Sequence, residues 1–490
     1  MIIPSGPRAL LRALALTAAV VGTLAAINYQ QADLTLSHYD ARGHLVVARR
    51  IFDSLTPGWR QIGAVWLPLP HLLNAVPVQF DPFYRTGASA VAISVVSFAA
   101  ATTAIGWMVV AITGSRAAAL IGAAVFALNP NVLYLQATPM TEPLLLGLLL
   151  PALAMLMAWC RDGRPAPALI GLVFALACLT RYEAWPVTIV ALTAAVWIRR
   201  RTGTAWKSSF LDALRIGALP AAAVAGFLAF SRVVVGEWFV SSGFFVPDNP
   251  ARGRPLAAAA SIVHGIDALG GRGLVIVASL GLAAALGAGL VDRARARAVL
   301  PSSLLAVAAL PFAAFVSGHP YRIRYMVPLV AAVAVGAGVF AAASRRAWAA
   351  TMAIVLILAA VDLRPLSSTA PMVLEAQWDR PSARERARVT ACLQAGHDGR
   401  LILASMNSLG HYMQELSHTG LRLRDFVHEG NGEAWRQALE RPGPEIGWIL
   451  ISESAHGRDA LFGPAYEKPA LLRGFSRVCE GGAVALYRRD

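Results

Sequence analysis

Between Thr86 and Ser115 the chain carries no charged residue, and between Ala117 and Cys160 it carries one, Glu142. A helix needs about 20 apolar residues to cross a hydrocarbon core about 30 Å thick, so blocks of this length constrain the fold before anything else does. Ala9–Ile27, with Arg12 as its single charge, is a third such block. None of them alternates polar and apolar side chains, which argues against a transmembrane barrel. They also hold the whole chain to 14% charged residues, against about 25% in soluble domains. The spans expected are 9–28, 87–113, 117–135, 142–160, 166–180, 184–198, 214–231, 273–291, 298–317, 325–343 and 347–362. That gives a polytopic α-helical membrane domain over residues 1–364, with about eleven spans and a first outer loop over 29–85. Residues 365–490 form a separate soluble domain. The N-terminal apolar run leads to no small-residue cleavage site, so it reads as a retained first helix.

A formal charge of +15 invites a nucleic-acid reading, but the location of the charge argues against one. Lysine occurs only at Lys207 and Lys468, and much of the arginine sits in short loops between apolar blocks. With Arg8 and Arg12 in the cytoplasm, the cytoplasmic loops hold Arg116; Arg161 and Arg164; Arg199, Arg200, Arg201 and Lys207; Arg293, Arg295 and Arg297; and Arg345 and Arg346. Every even-numbered span then ends in a basic cytoplasmic loop, as the positive-inside bias predicts. An odd number of spans puts the C-terminal domain outside the cell (plasma or inner) membrane. Cys160 and Cys178 fall at or in apolar segments and read as packing residues. Cys392 and Cys479 lie in the C-terminal domain, where pairing is open to them in an oxidising compartment.

Three outer segments stand out. In the long first loop, Asp40–Leu55 sets Leu45, Ala48, Phe52 and Leu55 at helical spacing, an apolar stripe suited to lying on the membrane surface. Gly236–Arg272 is rich in Gly and Pro, and His319–Tyr325 is short and dense in polar groups. Past Pro365 the pattern changes. Arg384–Leu393 and Leu409–Leu416 read as helices, and Leu401–Ala404, Ile446–Ile451 and Ala483–Tyr487 as strands of a small α/β layer.

Ionisable residues near a bilayer are costly and tend to be functional. Asp40 opens the first-loop helix in the run Ser37-His38-Tyr39-Asp40-Ala41-Arg42-Gly43-His44, with His44 one turn on along the same face. It reads either as a general base or as a first-turn carboxylate satisfying helix amides. Glu142, at the outer mouth of the fourth span, has the same bland alternative. Glu183 has Arg181 two residues before it, so an ion pair closing a tight helical hairpin competes with a catalytic role. Arg322 and Arg324, in His319-Pro320-Tyr321-Arg322-Ile323-Arg324-Tyr325, are on the wrong side for a topology signal. Arginine binds phosphate through paired hydrogen bonds, so a lipid phosphate is the natural ligand, with ordinary headgroup contact as the alternative.

Taken in order, these segments resemble the GT-C superfamily of membrane glycosyltransferases, and more closely the family of protein O-mannosyltransferases and lipid A aminoarabinose transferases. The resemblance rests on Tyr39-Asp40 with Gly43-His44-Leu45 and Ala48-Arg49, on Thr141-Glu142-Pro143-Leu144, on Arg181-Tyr182-Glu183, and on Arg324-Tyr325-Met326-Val327-Pro328. It covers roughly residues 1–345 and leaves the C-terminal domain without a motif. It implies a polyprenyl-phosphate sugar as donor, an acceptor hydroxyl on a protein, lipid or glycan, and a single inverting displacement. Asp40, Glu142 and Glu183 would be the catalytic carboxylates. His38, Tyr39, His44, Arg181, Tyr182, His319, Arg322, Arg324 and Tyr325 would contact substrate. Ala41 stands where many members carry a second acidic residue, which favours a single-carboxylate base and leaves a divalent cation open. A transporter or flippase for a lipid-linked or anionic substrate is the alternative, although the acidic residues cluster at one face rather than at mid-membrane.

Overall fold

The computed structural model describes residues 8–240, 249–344, 346–453, 459–467 and 471–490. Arg345, Lys468 and residues 241–248 of the Gly- and Pro-rich segment lie outside them. The chain divides into two compact units: Met1–Gln31, Val65–Leu69 and Val91–Leu374 form one, and Ala32–Ala64, Pro70–Ala90 and Glu375–Asp490 the other.

The first unit is helical, as the apolar blocks require. Seven described helices are long and apolar enough to cross a membrane: Arg8–Gln31, Ala88–Thr113, Glu142–Asp162, Trp206–Val234, Arg272–Val291, Arg293–Ser317 and Ile323–Ala341. Shorter apolar helices run over Arg116–Ala127, Pro167–Cys178, Pro255–Gly270 and Trp348–Asp362. The chain is thus a polytopic helical membrane protein. Two local readings need correction. The span expected over 117–135 breaks at Asn129, whose side chain accepts from the Asn131 and Val132 amides while Pro130 opens a new helix Pro130–Leu135. Inside the segment read as an outer Gly- and Pro-rich loop, Pro255 starts a 16-residue helix, because an alanine run follows it without a further proline.

Small residues set how closely these helices approach. A Cβ on Gly336 would overlap the Ala278 carbonyl, and one on Gly281 would overlap the Gly336 carbonyl. Likewise a Cβ on Gly122 would come within 2.9 Å of the Ala334 carbonyl oxygen. In lipid there is no hydrophobic gain from bringing apolar helices together, so backbone-to-backbone contact at glycine is what holds such a seam.

The second unit is built on a five-stranded sheet of order β2-β1-β3-β5-β4. Its strands are β1 (Leu401–Ala404), β2 (Phe426–Val427), β3 (Ile446–Ser452), β4 (Phe475–Gly481) and β5 (Val484–Arg489). β1 pairs parallel with β2 and β3, while β5 pairs antiparallel with β3 and β4. Successive side chains on β3 point to opposite faces. Trp448 and Leu450 join one buried cluster with Val389, Leu409 and Tyr412, and Ile449 and Ile451 join another with Trp435 and Leu461. A disulfide joins Cys392 on the helix Arg380–Gly396 to Cys479 on β4.

The first-loop helix is Tyr39–Arg50. Its expected role on the membrane surface is not what the structure gives. Leu45, Val46 and Ala48 are part of the Trp448 cluster, buried against the C-terminal residues. Phe52 and Leu55, the other half of the stripe, fall beyond the end of the helix and are exposed. Arg49 completes the anchoring. It bonds Asp53 at 2.9 Å and Asp81 at 2.7 Å, and Asp53 also accepts from Arg424 at 2.9 Å.

The glycine seam is testable. Gly336→Leu should lower the thermal midpoint of the detergent-solubilised protein by at least several degrees, whereas Gly226→Leu, where no atom lies near the added Cβ, should leave it almost unchanged.

Candidate functional site

In the first unit the turn after the helix Pro167–Cys178 carries Arg181, and a proline-led helix start carries Glu142. Glu142 is fully buried at the first turn of Glu142–Asp162, where the helix dipole favours a carboxylate. Arg181 Nη1 sits 2.9 Å from Glu142 Oε1 and 3.0 Å from Thr141 Oγ1. On its other edge, Arg181 Nε and Nη2 both reach Glu183 Oε1, at 3.1 and 2.6 Å. One guanidinium therefore holds two buried carboxylates. The ion-pair reading of Glu183 is what the structure contains, extended to Glu142. Tyr182 points elsewhere: its hydroxyl bonds the Val65 carbonyl at 3.3 Å, and its ring meets Trp185 and Phe239 edge-on.

Arg324 is buried at the start of the next polar cluster and lies close enough to Arg181 for the two positive charges to oppose one another. Its guanidinium is 5.7 Å from the Tyr325 ring centre. Tyr325 in turn approaches His319 Nε2 at 3.5 Å. Arg322 is partly exposed, and among the described residues its side chain has no carboxylate partner. A guanidinium forms paired hydrogen bonds with phosphate oxygens, so arginines at this position are of the chemical type that suits such an anion.

The second unit holds the other predicted group. His38 is the N-cap of Tyr39–Arg50, its Nδ1 accepting from the Asp40 amide at 3.1 Å. The capping role considered for Asp40 thus belongs to His38, and the Asp40 carboxylate is buried in the first turn. His44, expected on the Asp40 face, has its Nδ1 3.0 Å from His71 Nε2. Tyr39 stacks on His38, with centroids 5.1 Å apart and planes at 18°.

Several neighbours of Asp40 were not legible in the sequence. His411, on the helix Met406–Leu416, places its ring 6.5 Å from Tyr39 and its Nε2 3.6 Å from Asp379. Asp379 is itself held by Arg386 through two bonds of 3.0 and 2.8 Å. Glu375 lies 3.9 Å from His38 Nε2. Burial pushes the His411 imidazole down to about 4, helped by the positive charge of Arg386. It is therefore neutral near pH 7. Burial also pushes His428 down to about 3, with Arg50 nearby adding to the effect. Among the described residues, no group of three or more His, Cys, Asp or Glu side chains is arranged to hold a metal ion.

The whole architecture matches solved structures of low sequence identity. The chain superposes on ArnT from Cupriavidus metallidurans bound to undecaprenyl phosphate with a TM-score of 0.56 at 13% identity, over 98% of both chains. On ArnT from the same organism in the apo state the TM-score is 0.57 at 13% identity, over 96% of this chain and 97% of that one. The oligosaccharyltransferase of Archaeoglobus fulgidus in its apo form aligns with a TM-score of 0.55 at 11% identity, over 90% of this chain and 69% of that one. No protein-family model matches the sequence, and no curated protein sequence matches it significantly. The chain thus has the fold of these structures.

Two outcomes follow from the electrostatics. Arg181→Ala strands two buried carboxylates, a change that typically costs about 3–5 kcal/mol. It should unfold well below the wild-type temperature, and adding Glu142→Gln in the same chain should recover part of the loss. His428 has an ordinary value of 6.5 when unfolded and about 3 when folded. Between those values only the unfolded chain binds the proton, so the stabilisation is complete above 6.5 and lost as pH falls towards 3. Thermal midpoints measured across that range should fall less steeply for His428→Gln than for the wild type.

Proposed function

We propose that the chain is a glycosyltransferase that moves a sugar from a polyprenyl-phosphate donor to an acceptor hydroxyl at the outer face of the cell membrane. The observation that carries this reading is the fold match across 98% of both chains to ArnT bound to undecaprenyl phosphate. The motif residues are the right chemical types for that reaction. The orientation, with the N-terminus in the cytoplasm and residues 365–490 outside, is supported by the basic loops and by the Cys392–Cys479 disulfide, a bond that persists in oxidising compartments.

In the proposed step, Asp40 takes the proton of the acceptor hydroxyl as that oxygen bonds to the anomeric carbon. The bond from that carbon to the phosphate oxygen breaks on the opposite side, and its electron pair leaves with the polyprenyl phosphate. Configuration at the carbon inverts. Arg324 and Arg322 neutralise the charge that grows on the phosphate, an effect strengthened where water is scarce. Glu142 and Glu183 act by fixing Arg181, and through it the charge balance around Arg324. His319 and Tyr325 border the same arginine segment and would contact the phosphate or the sugar.

The test uses purified protein with a panel of polyprenyl-phosphate sugars and follows release of free polyprenyl phosphate. Asp40→Asn should lower turnover by roughly 10²–10⁴-fold with an unchanged thermal midpoint, the range general-base catalysis supplies. Arg324→Ala should lower it by about 10²–10³-fold. Near-normal transfer by Asp40→Asn would remove the proposed base.

A further inference from the structure

Resting on the transferase reading, we propose that the C-terminal domain sets the aim of Asp40. A clamp formed by Glu375, Asp379 and His411 holds the ring stack that begins the first-loop helix. His38 and Tyr39 then act as positioning residues rather than as contacts for substrate.

The first turn has backbone amides without partners inside the helix, and the capping side chain supplies an acceptor to one of them. Here the cap is a histidine: His38 Nδ1 accepts from the Asp40 amide, which ties the ring to the backbone of the residue that carries the proposed base. That ring has Tyr39 against one face and a carboxylate off its edge. Tyr39 stacks against it at 5.1 Å, and Glu375 Oε1 lies 3.9 Å from its outer nitrogen.

Tyr39 is held in turn. His411 meets it edge-on at 6.5 Å, and Trp378 meets it edge-on at 5.6 Å with planes at 86°. Asp379 lies 3.6 Å from His411 Nε2. Three of these holding groups, Glu375, Trp378 and Asp379, belong to five consecutive residues that lead into the helix Arg380–Gly396. Glu375 and Asp379, four apart, each address one of the two histidines that bracket Tyr39.

The clamp is closed by charge. Arg386 grips Asp379 and also reaches Glu415 Oε2 at 3.4 Å. The same Glu415 oxygen accepts from Arg42 Nη1 at 2.9 Å, and Arg42 stands two residues after Asp40 on the same helix. Arg386 and Asp379 are both well buried, and such pairs lock geometry at little net gain in stability. The groups facing His411 are therefore Tyr39, Asp40, Arg42, Asp379 and Arg386. Fixing a base to within a fraction of an ångström matters, since a displacement of about 1 Å can cost on the order of 10²-fold in rate.

The test compares full-length wild type with Asp379→Asn, His411→Asn, Tyr39→Phe and Tyr39→Leu. Two readouts are taken: steady-state transfer, and hydrogen–deuterium exchange of the amides of residues 40–44. Asp379→Asn and His411→Asn should lower kcat by roughly 10–100-fold, with donor and acceptor KM within about two-fold, and should speed exchange of those amides. His411→Asn should do so with its thermal midpoint held, while Asp379→Asn, which leaves buried Arg386 short of a carboxylate, should lower the midpoint as well. Tyr39→Phe, which keeps the ring, should lose far less kcat than Tyr39→Leu. A raised KM with kcat unchanged would overturn the proposal in favour of substrate contact, as would wild-type exchange in Asp379→Asn and His411→Asn. Wild-type protein inactive on every donor would sink the transferase reading instead, and the exchange readout would still decide the clamp.

Discussion

An arginine that grips two carboxylates at once is the interaction on which the membrane part of this chain depends. Apolar blocks long enough to span a bilayer leave almost no room for charge, so each charge that is kept must be paired or leave for water. Arg181 solves this for Glu142 and Glu183 together, from a turn between two helices. Because Glu142 opens one helix and Glu183 precedes another, the guanidinium ties three points of the chain together. Two carboxylates on one guanidinium leave a formal charge of −1, and Arg324 stands close enough for its positive charge to act on Arg181.

The second unit applies the same rule outside the spans. Its sheet is faced by helices on both sides, yet one of those faces is completed by the first-loop helix rather than by the C-terminal residues alone. Arg49, Asp53, Asp81 and Arg424 bind the middle of the loop, and Arg42, Glu415, Arg386 and Asp379 bind its start. Two segments separated by most of the sequence thereby become one folding unit, with Asp40 at the junction. A soluble domain that follows the last span is then more than an appendage: it shares its core with the segment that carries the proposed base.

Much of this was legible in the sequence, and the reasons are physical. Span positions follow from charge-free length, so Glu142–Asp162 and Arg272–Val291 agree with expectation to within two residues. β1 was placed at its observed bounds because a short β-branched and leucine run between turn residues has few alternatives. The Arg181–Glu183 pair was legible because two residues of separation keep opposite charges together. What escaped depends on contacts distant in sequence. Leu45 and Ala48 have a stripe that fits a membrane surface and a protein core equally well, and periodicity does not distinguish them. His411, Asp379 and Glu375 bear no motif, and nothing in their local spacing tells that they face His38 and Tyr39. From sequence Asp40 reads as a cap or first-turn carboxylate or as a base, and the observed bond from its amide assigns the cap itself to His38.

The central claim is that a bond in the donor is broken and not merely carried across a bilayer. Reconstituting the protein into vesicles with a polyprenyl-phosphate sugar labelled in both sugar and lipid, and adding a hydroxyl acceptor, addresses it directly. The account predicts that the two labels part, the sugar appearing on the acceptor with inverted configuration and the lipid as free polyprenyl phosphate. Recovery of the intact donor on the opposite leaflet, with both labels still joined, would contradict it.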